Sequence, residues 1–297
     1  MGKDKLKLEG INIDIIKSLG LNKKSLKKIK DLEVLCNEHD DIKMKLNWGF
    51  IKVRSKEEVN DFLCFKDNIL VGYLGLHIYD SVAEITGMVH PKYRRKGIFT
   101  KLMSIATDNL IKRGIYKVLL ISEDATLASK KYVETINAKL VTTEYRMILK
   151  KYNFKNTKTD LVVRKAKAID AVKRARILSI CFDMPIKDKE NYIKELHDKY
   201  KEFYVAELNN TVIGNLNVSS ADNIVIYGVG ILPEYRNQGY GKEFIKRVID
   251  KIFDNDKDII LEVNSKNNTA IKVYEKCGFN KTNSYNYYEV LLTKERE

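Results

Sequence analysis

The chain has 297 residues, enough for about two domains that each bury a core of their own. Hydrophobic residues at 44% and charged residues at 32% fit a soluble globular protein. No apolar run approaches the ~18 residues that cross a bilayer and no signal-peptide core opens the chain, so a cytoplasmic protein without a membrane partner is expected. A net charge of +14 raises nucleic acid as a partner. However, the lysines are interspersed with acids and no base-stacking aromatics accompany them, which makes nucleic acid an unlikely one.

Residues 1 to about 48 follow a helical spacing, with Ile13, Ile15, Ile16 and Leu19 as one apolar set and Leu26, Ile29, Leu32, Leu35 and Cys36 as another. Two runs around Phe62–Phe65 and Leu70–Leu76 flank Lys66-Asp67-Asn68, the turn of a β-hairpin. A strand from Val82 to Val89 then enters His90-Pro91-Lys92-Tyr93-Arg94-Arg95-Lys96-Gly97-Ile98-Phe99. The lysine-rich run from Lys150 to Thr159 reads as a boundary, giving domains 1–155 and 156–297. Beyond it, a strand restarts at 161–164, helices are expected over about 168–181 and 187–197, and a second hairpin turns through Asn209-Asn210.

A central strand over 223–230 leads to Arg236-x-x-Gly239-x-Gly241, ahead of a helix with Phe244, Ile245, Val248, Ile249, Ile252 and Phe253 on one face. Small residues there let the backbone turn tightly and leave consecutive N–H groups free for an anion, and the helix adds the positive end of its dipole. A diphosphate is the natural guest, although an ordinary strand-to-helix turn has the same glycines. A strand over 258–263 precedes a short helix that starts among asparagines and ends before Gly278-Phe279.

The second half repeats the first. Arg94 and Arg236 lie 142 residues apart (236 − 94), and the same interval links Gly72 to Gly214, Leu74 to Leu216, Pro91 to Pro233, Tyr93 to Tyr235 and Gly97 to Gly239. Continued without a gap it links Ala128 to Ala270, Lys130 to Lys272 and Tyr132 to Tyr274, the mark of a duplication. At that interval Phe99 stands opposite Gly241, Ala125 opposite Asn267, Ile136-Asn137 opposite Gly278-Phe279, and Glu84 opposite Ile226. The Phe99 side chain either points away from the loop or blocks an approaching phosphate. The cysteines (36, 64, 181, 277) and histidines (39, 77, 90, 197) fall in no ligand spacing, so no metal is expected.

Loop and helix, in this order and at this distance, resemble the GNAT superfamily of acyl-CoA-dependent N-acetyltransferases. The duplication resembles tandem enzymes of the mycothiol-synthase type, in which one domain transfers acetyl and the other is largely structural. The resemblance implies an α/β (α+β) fold of two tandem domains, each a mixed, mostly antiparallel sheet flanked by helices. It also implies acetyl-CoA as acyl donor and a primary amine of a small molecule or peptide as acceptor. By the same resemblance Ile231 bonds the pantetheine arm through its backbone, the amides of Arg236, Asn237, Gln238, Gly239, Tyr240, Gly241 and Lys242 hold the pyrophosphate, Asn267 anchors the other side, and Tyr274 protonates the departing thiolate. In the first, partly degenerate copy, Val89, Arg94, Arg95, Lys96, Gly97 and Ile98 are the cofactor counterparts, with Glu84 and Tyr132 as catalytic candidates.

Tyr274 also follows an apolar stripe with Ala270, Val273 and Cys277, so a core role stands beside the catalytic one. The general base is open between a water relay, the Tyr227 hydroxyl and a carboxylate from elsewhere. The alternative function is a non-catalytic acyl-CoA-binding sensor or scaffold.

Overall fold

A computed structural model describes residues 3–79, 81–124, 127–152, 160–183, 189–220, 223–254 and 256–293. The chain forms two compact units: Met1–Thr143 with Ser284–Glu297, and Glu144–Asn283. Neither junction coincides with the sequence division at 155, and residues 153–159 of the lysine-rich run lie outside the described residues.

The first unit opens with β1 (Lys3–Leu8) and β2 (Ile11–Ser18), a hairpin turned at Glu9 and Gly10 with φ of 40° and 82°. This corrects the helical expectation for Ile13 to Leu19. Ile13 and Ile15 alternate onto the buried face at 3% and 0% exposure, and a two-residue turn with positive φ at both positions matches the twist of the strands it joins. α1 (Lys23–Asp40) follows most of its apolar spacing: Asn22 caps it by accepting from the Ser25 N–H, and Ile29, Leu32 and Cys36 turn inward, whereas Leu35 of the expected set is exposed. α2 (Trp48–Ile51), β3 (Asp61–Lys66) and β4 (Ile69–Tyr79) follow. The β3–β4 hairpin turns at Asp67 and Asn68, both at positive φ, as the turn chemistry predicts. Then come β5 (Val82–Val89), α3 (Ile98–Lys112), β6 (Lys117–Glu123), α4 (Leu127–Thr135) and β7 (Lys139–Leu149).

The second unit holds β8 (Val162–Lys165), α5 (Ala171–Phe182), α6 (Lys189–Glu195), β9 (Lys201–Leu208), β10 (Thr211–Ser219), β11 (Ile224–Ile231), α7 (Tyr240–Ile252), β12 (Ile259–Asn264) and α8 (Asn268–Lys276), before β13 (Asn280–Leu291). Here too the asparagine pair, Asn209-Asn210, turns the hairpin at positive φ.

The first unit takes its last strand from beyond the second in sequence, and the second is completed by the end of β7, which follows α4 of the first repeat. In the first, β6 pairs with residues 285–291 of β13; in the second, β12 pairs with residues 144–149 of β7. Among the described residues, the ladders within each unit are antiparallel except β5 with β6 and β11 with β12. On one face of the second sheet α7 buries Phe244, Ile245, Val248 and Ile249, each at 1% exposure or less and each contributing about 1.5–3 kcal/mol. α3 does the same in the first unit with Leu102, Ala106 and Leu110.

The parallel pairs are short. β5 and β6 stay together from Val82↔Lys117 to Ile85↔Leu120, and β11 and β12 from Ile224↔Ile259 to Ile226↔Leu261. Beyond those points the strands part, and each fork opens beside the loop that starts α3 or α7.

Candidate acyl-transfer site

The two loops have one geometry. After a 3₁₀ turn at Pro91–Tyr93 or Pro233–Tyr235, the chain alternates through left-handed positions at Arg95 (φ 61°) and Gly97 (φ 69°), or Asn237 (φ 61°) and Gly239 (φ 86°). Such alternation turns successive N–H groups to one side. The N–H groups of residues 95–100 and 237–242 have no hydrogen-bond acceptor among the described residues, and they include the first turns of α3 and α7. Each loop is therefore a concave anion cradle at a helix N-terminus.

The side chains of the loop arginines are anchored within the protein. Arg236 donates through Nε to the Ile231 carbonyl (2.8 Å) and through Nη2 to Cys181 Sγ (3.4 Å), which ties the loop to the end of β11. Arg94 likewise donates to the Val89 carbonyl (3.0 Å), and it also grips both Asp40 oxygens at 2.7 and 2.6 Å. Burial raises the Asp40 carboxyl, but the hydrogen bonds and charges of Arg94 and His39 together hold the pKa below the usual range. A cysteine from the first helix of each unit, Cys36 or Cys181, leans on the same strand-end carbonyl. Gln238 closes its loop by donating to the Glu234 carbonyl. Neither Asp40 nor the two thiols was singled out in the sequence, because nothing local links them to the loops.

In the first unit, cradle and fork share a cavity of about 470 Å³. It reaches from Arg95, Gly97 and Ile98 between Thr86–Val89 and residues 121–123 to Tyr132 and Val133 of α4. Phe99 does not point away from it. Its ring lies so close to β5 that a Cβ on Gly87 would meet it at 2.7 Å, and it stands edge-on to Tyr132 with centroids 4.7 Å apart. Tyr132 thus lines the cavity, and burial raises its pKa. Glu84 does not line it. Its carboxylate accepts from the Tyr79 hydroxyl (3.1 Å) and faces His77 Nδ1 (3.4 Å). Ala125 lies outside the described residues.

In the second unit, Gly241 has room: a Cβ there would meet only Ile231 Cγ1, at an ordinary 3.7 Å. Asn267 uses its side-chain oxygen to cap α8 by accepting from the Ala270 N–H (3.1 Å). Tyr274 is 8% exposed in the core beside Phe279, and burial pushes its phenol up to about 12. Its hydroxyl has no hydrogen-bond partner among the described residues.

The repeat is gapped, which changes two pairings. Gly72↔Val89 and Gly214↔Ile231 keep the interval of 142, but β11 bulges at Gly228, and before the bulge the interval is 141. Ser219 pairs with Val225 as His77 pairs with Glu84, so Val225 holds the Glu84 place, and Ile226 stands instead where Ile85 does. In α4 and α8 the interval is again 141. Asn137 and Gly278 are the left-handed residues past each helix, and Ala138 N bonds Val133 O as Phe279 N bonds Tyr274 O. Hence Val133 is the counterpart of Tyr274, and Tyr132 that of Val273. Two glycines inside the β11 sequence, Gly228 and Gly230, were the available sign of a bulge.

The acetyltransferase (GNAT) family profile matches residues 26–135 and 174–279. Over 69 residues, 23% of this chain, the sequence is 33% identical to the [ribosomal protein bS18]-alanine N-acetyltransferase of Escherichia coli K12; the match spans 47% of that protein, about half its length. In fold, the chain is similar to a GCN5-related N-acetyltransferase from Sphaerobacter thermophilus, with TM-score 0.77 and 14% identity over 95% of this chain and 97% of that one. It is also similar to a tandem GNAT protein from the clavulanic acid biosynthesis pathway, with TM-score 0.70 and 12% identity over 96% and 100%. With two matched regions that cover most of its length, each holding an N–H cradle beside a forked parallel strand pair, the chain belongs to the acetyltransferase (GNAT) family.

Proposed function

We propose that the protein transfers an acetyl group from acetyl-CoA directly to a primary amine of a small molecule or peptide, and that the second unit carries out the transfer. The observation that carries this reading is the pairing, within that unit, of a free N–H cradle with a buried phenol on α8. The first unit has the cradle but has Val133 in the phenol's place. The amides of residues 237–242 hold the pyrophosphate, and the unpaired edge of β11 after Ile226 takes the pantetheine arm. The amine nitrogen attacks the thioester carbonyl, the C–N bond forms, the C–S bond breaks, and Tyr274 gives its proton to the departing sulfur; the amine's proton leaves to solvent, which returns one to the Tyr274 phenolate. A phenol kept protonated by burial is able to give its proton to a thiolate formed beside it.

The cavity of the first unit supports acyl-CoA binding there without transfer, a structural or sensing role for that copy. No carboxylate stands at Val225, so the amine reaches the second unit already neutral or loses its proton through water. A cytoplasmic location belongs to this reading; among the described residues no helix is long and apolar enough to cross a membrane. The test is CoA release from acetyl-CoA over polyamines, aminoglycosides, amino acids, aminosugars and peptides. A peptide with an N-terminal alanine is included because the Escherichia coli relative acts on ribosomal protein bS18 alanine. Release with one of these classes supports the enzyme. Tight acetyl-CoA binding with no release over the whole panel favours a sensor.

A further inference from the structure

Beneath the bulge of β11 lies a polar cluster that the transfer chemistry has not used. Arg174 on α5 is 0% exposed, stacked with Cζ 4.2 Å from the Phe203 ring centroid, and it pairs with no carboxylate among the described residues. Its Nε donates to Asn215 Oδ1 (3.0 Å) and its Nη2 to Asn217 Oδ1 (3.4 Å), while Nη1 has no partner. Asn215 passes the connection on, donating through Nδ2 to the Gly228 carbonyl (2.8 Å) and to Asn217 Oδ1 (3.1 Å). Gly228 sits at φ 60°, and a Cβ there would meet Asn217 Nδ2 at 2.7 Å. A buried guanidinium with an orphaned N–H costs stability, so its place under the bulge calls for a compensating role.

The first unit provides the internal comparison. Its positions equivalent to Asn215 and Asn217 are Tyr73 and Gly75; the Tyr73 hydroxyl turns to Asp61 (2.7 Å), and the β4–β5 ladder runs without a shift from Gly72↔Val89 to Tyr79↔Val82. Within one chain, the bulge occurs with the Arg174–Asn215–Asn217 cluster and is missing without it. The bulge also falls just past Ile226, the last residue of β11 paired with β12, so it sets the register of all that follows at the fork. Ile226 and Val229 both face the α7 core, while Gly230 faces Cys181 and Ile177 of α5. In an unbulged strand, Val229 would face the opposite side from Ile226.

We propose that Arg174 and Asn215 are positioning residues that hold the Gly228 bulge and thereby aim residues 228–230 at the transfer cleft. The proposal rests on the second unit being the site of transfer. The cradle itself has separate anchors, the Leu232 N–H to the Ile213 carbonyl (2.9 Å) and the Arg236 bond to Ile231, so its hold on acetyl-CoA outlasts loss of the cluster.

The experiment uses the full chain and the variants Arg174→Met, Asn215→Leu and Arg174→Lys. It reads steady-state kinetics with the acceptor found in the amine panel, and amide hydrogen exchange over residues 226–231. The expected result for Arg174→Met and Asn215→Leu is faster exchange in that segment and kcat lowered about tenfold or more, with KM for acetyl-CoA within about twofold. Arg174→Lys, which keeps one donor, recovers part of both. Unchanged exchange and unchanged kcat in the Met and Leu variants would overturn the proposal, as would a loss of kcat that comes with an equal change in KM and is not relieved in Arg174→Lys. If the unaltered protein transfers acetyl to no amine, the assigned activity fails, and the exchange measurement alone still decides whether the cluster holds the bulge. Should the Met variant not fold, Asn215→Leu and Arg174→Lys decide by the same criteria.

Discussion

At Tyr274 the position argument and the burial argument meet. A phenol pushed up to about 12 stays protonated through the whole working range of an enzyme and is lost as a proton donor only as pH rises past that value. The kcat profile therefore shows no falling limb below about pH 10, and Tyr274→Phe lowers kcat by about 10²–10⁴-fold with acetyl-CoA affinity retained in calorimetry. A variant that keeps the wild-type rate with chemistry rate-limiting would return Tyr274 to the core role that its apolar stripe also allowed. A second residue, Asp170, carries a stability prediction. It is 1% exposed, and the Arg164 guanidinium, donating at 2.7 and 3.0 Å, holds its carboxyl below the usual range; the Lys167 N–H adds a further bond. Because the folded value is depressed, its contribution is present above the unfolded pKa of about 3.9 and disappears as pH falls through the folded one. Asp170→Asn costs about 2–3 kcal/mol in urea denaturation at pH 7, and the gap from wild type narrows below pH 4. An equal gap at pH 7 and pH 3 would show that packing, not charge, is at stake.

Among the elements, turns and caps were the most legible in the sequence, because Asp67-Asn68, Asn209-Asn210 and Asn267 act on their own backbone within a few residues. The first hairpin is illegible in the sequence because Ile13, Ile15, Ile16 and Leu19 fit a helical spacing as well as Ile13 and Ile15 fit the period of two, and Gly10 alone marks the turn. The bulge escaped for a related reason: one extra residue in β11 is offset by shorter connections elsewhere, so an interval of 142 kept finding matches past the point where it had ceased to describe the fold. At the cradle, Gly241→Phe tests whether ligand access is what requires glycine. A Cβ fits at that position, so the melting temperature holds within a few degrees, whereas calorimetric affinity for acetyl-CoA falls at least tenfold. Phe99 finds a seat against Gly87, but the corresponding residue of β11 is Val229, whose side chain leaves no such seat. Undiminished affinity would mean that an aromatic ring at this place in the loop is harmless in either copy.

For the whole molecule, the strand exchange was not legible at all. β7 and β13 close equivalent positions in the two sheets, and nothing in the local pattern of either says which sheet it joins. Cutting the chain at residue 155 therefore takes residues 285–291 from the first sheet and residues 144–149, with the buried Met147 and Leu149, from the second. The expected outcome is that fragments 1–155 and 156–297 show no cooperative melting by circular dichroism when made separately and regain it when co-expressed. A fragment 156–297 that melts cooperatively alone would show the borrowed strand to be dispensable. Synthesis on the ribosome faces the same constraint as the fragments. Asn286 bonds Asp124, 162 residues earlier in the chain, so when β6 emerges its partner has yet to be translated. Until Leu291 clears the exit tunnel, the open edge of β6 presents unpaired N–H and C=O groups to any passing strand, and the nascent chain depends on chaperones or on speed to reach its native sheet.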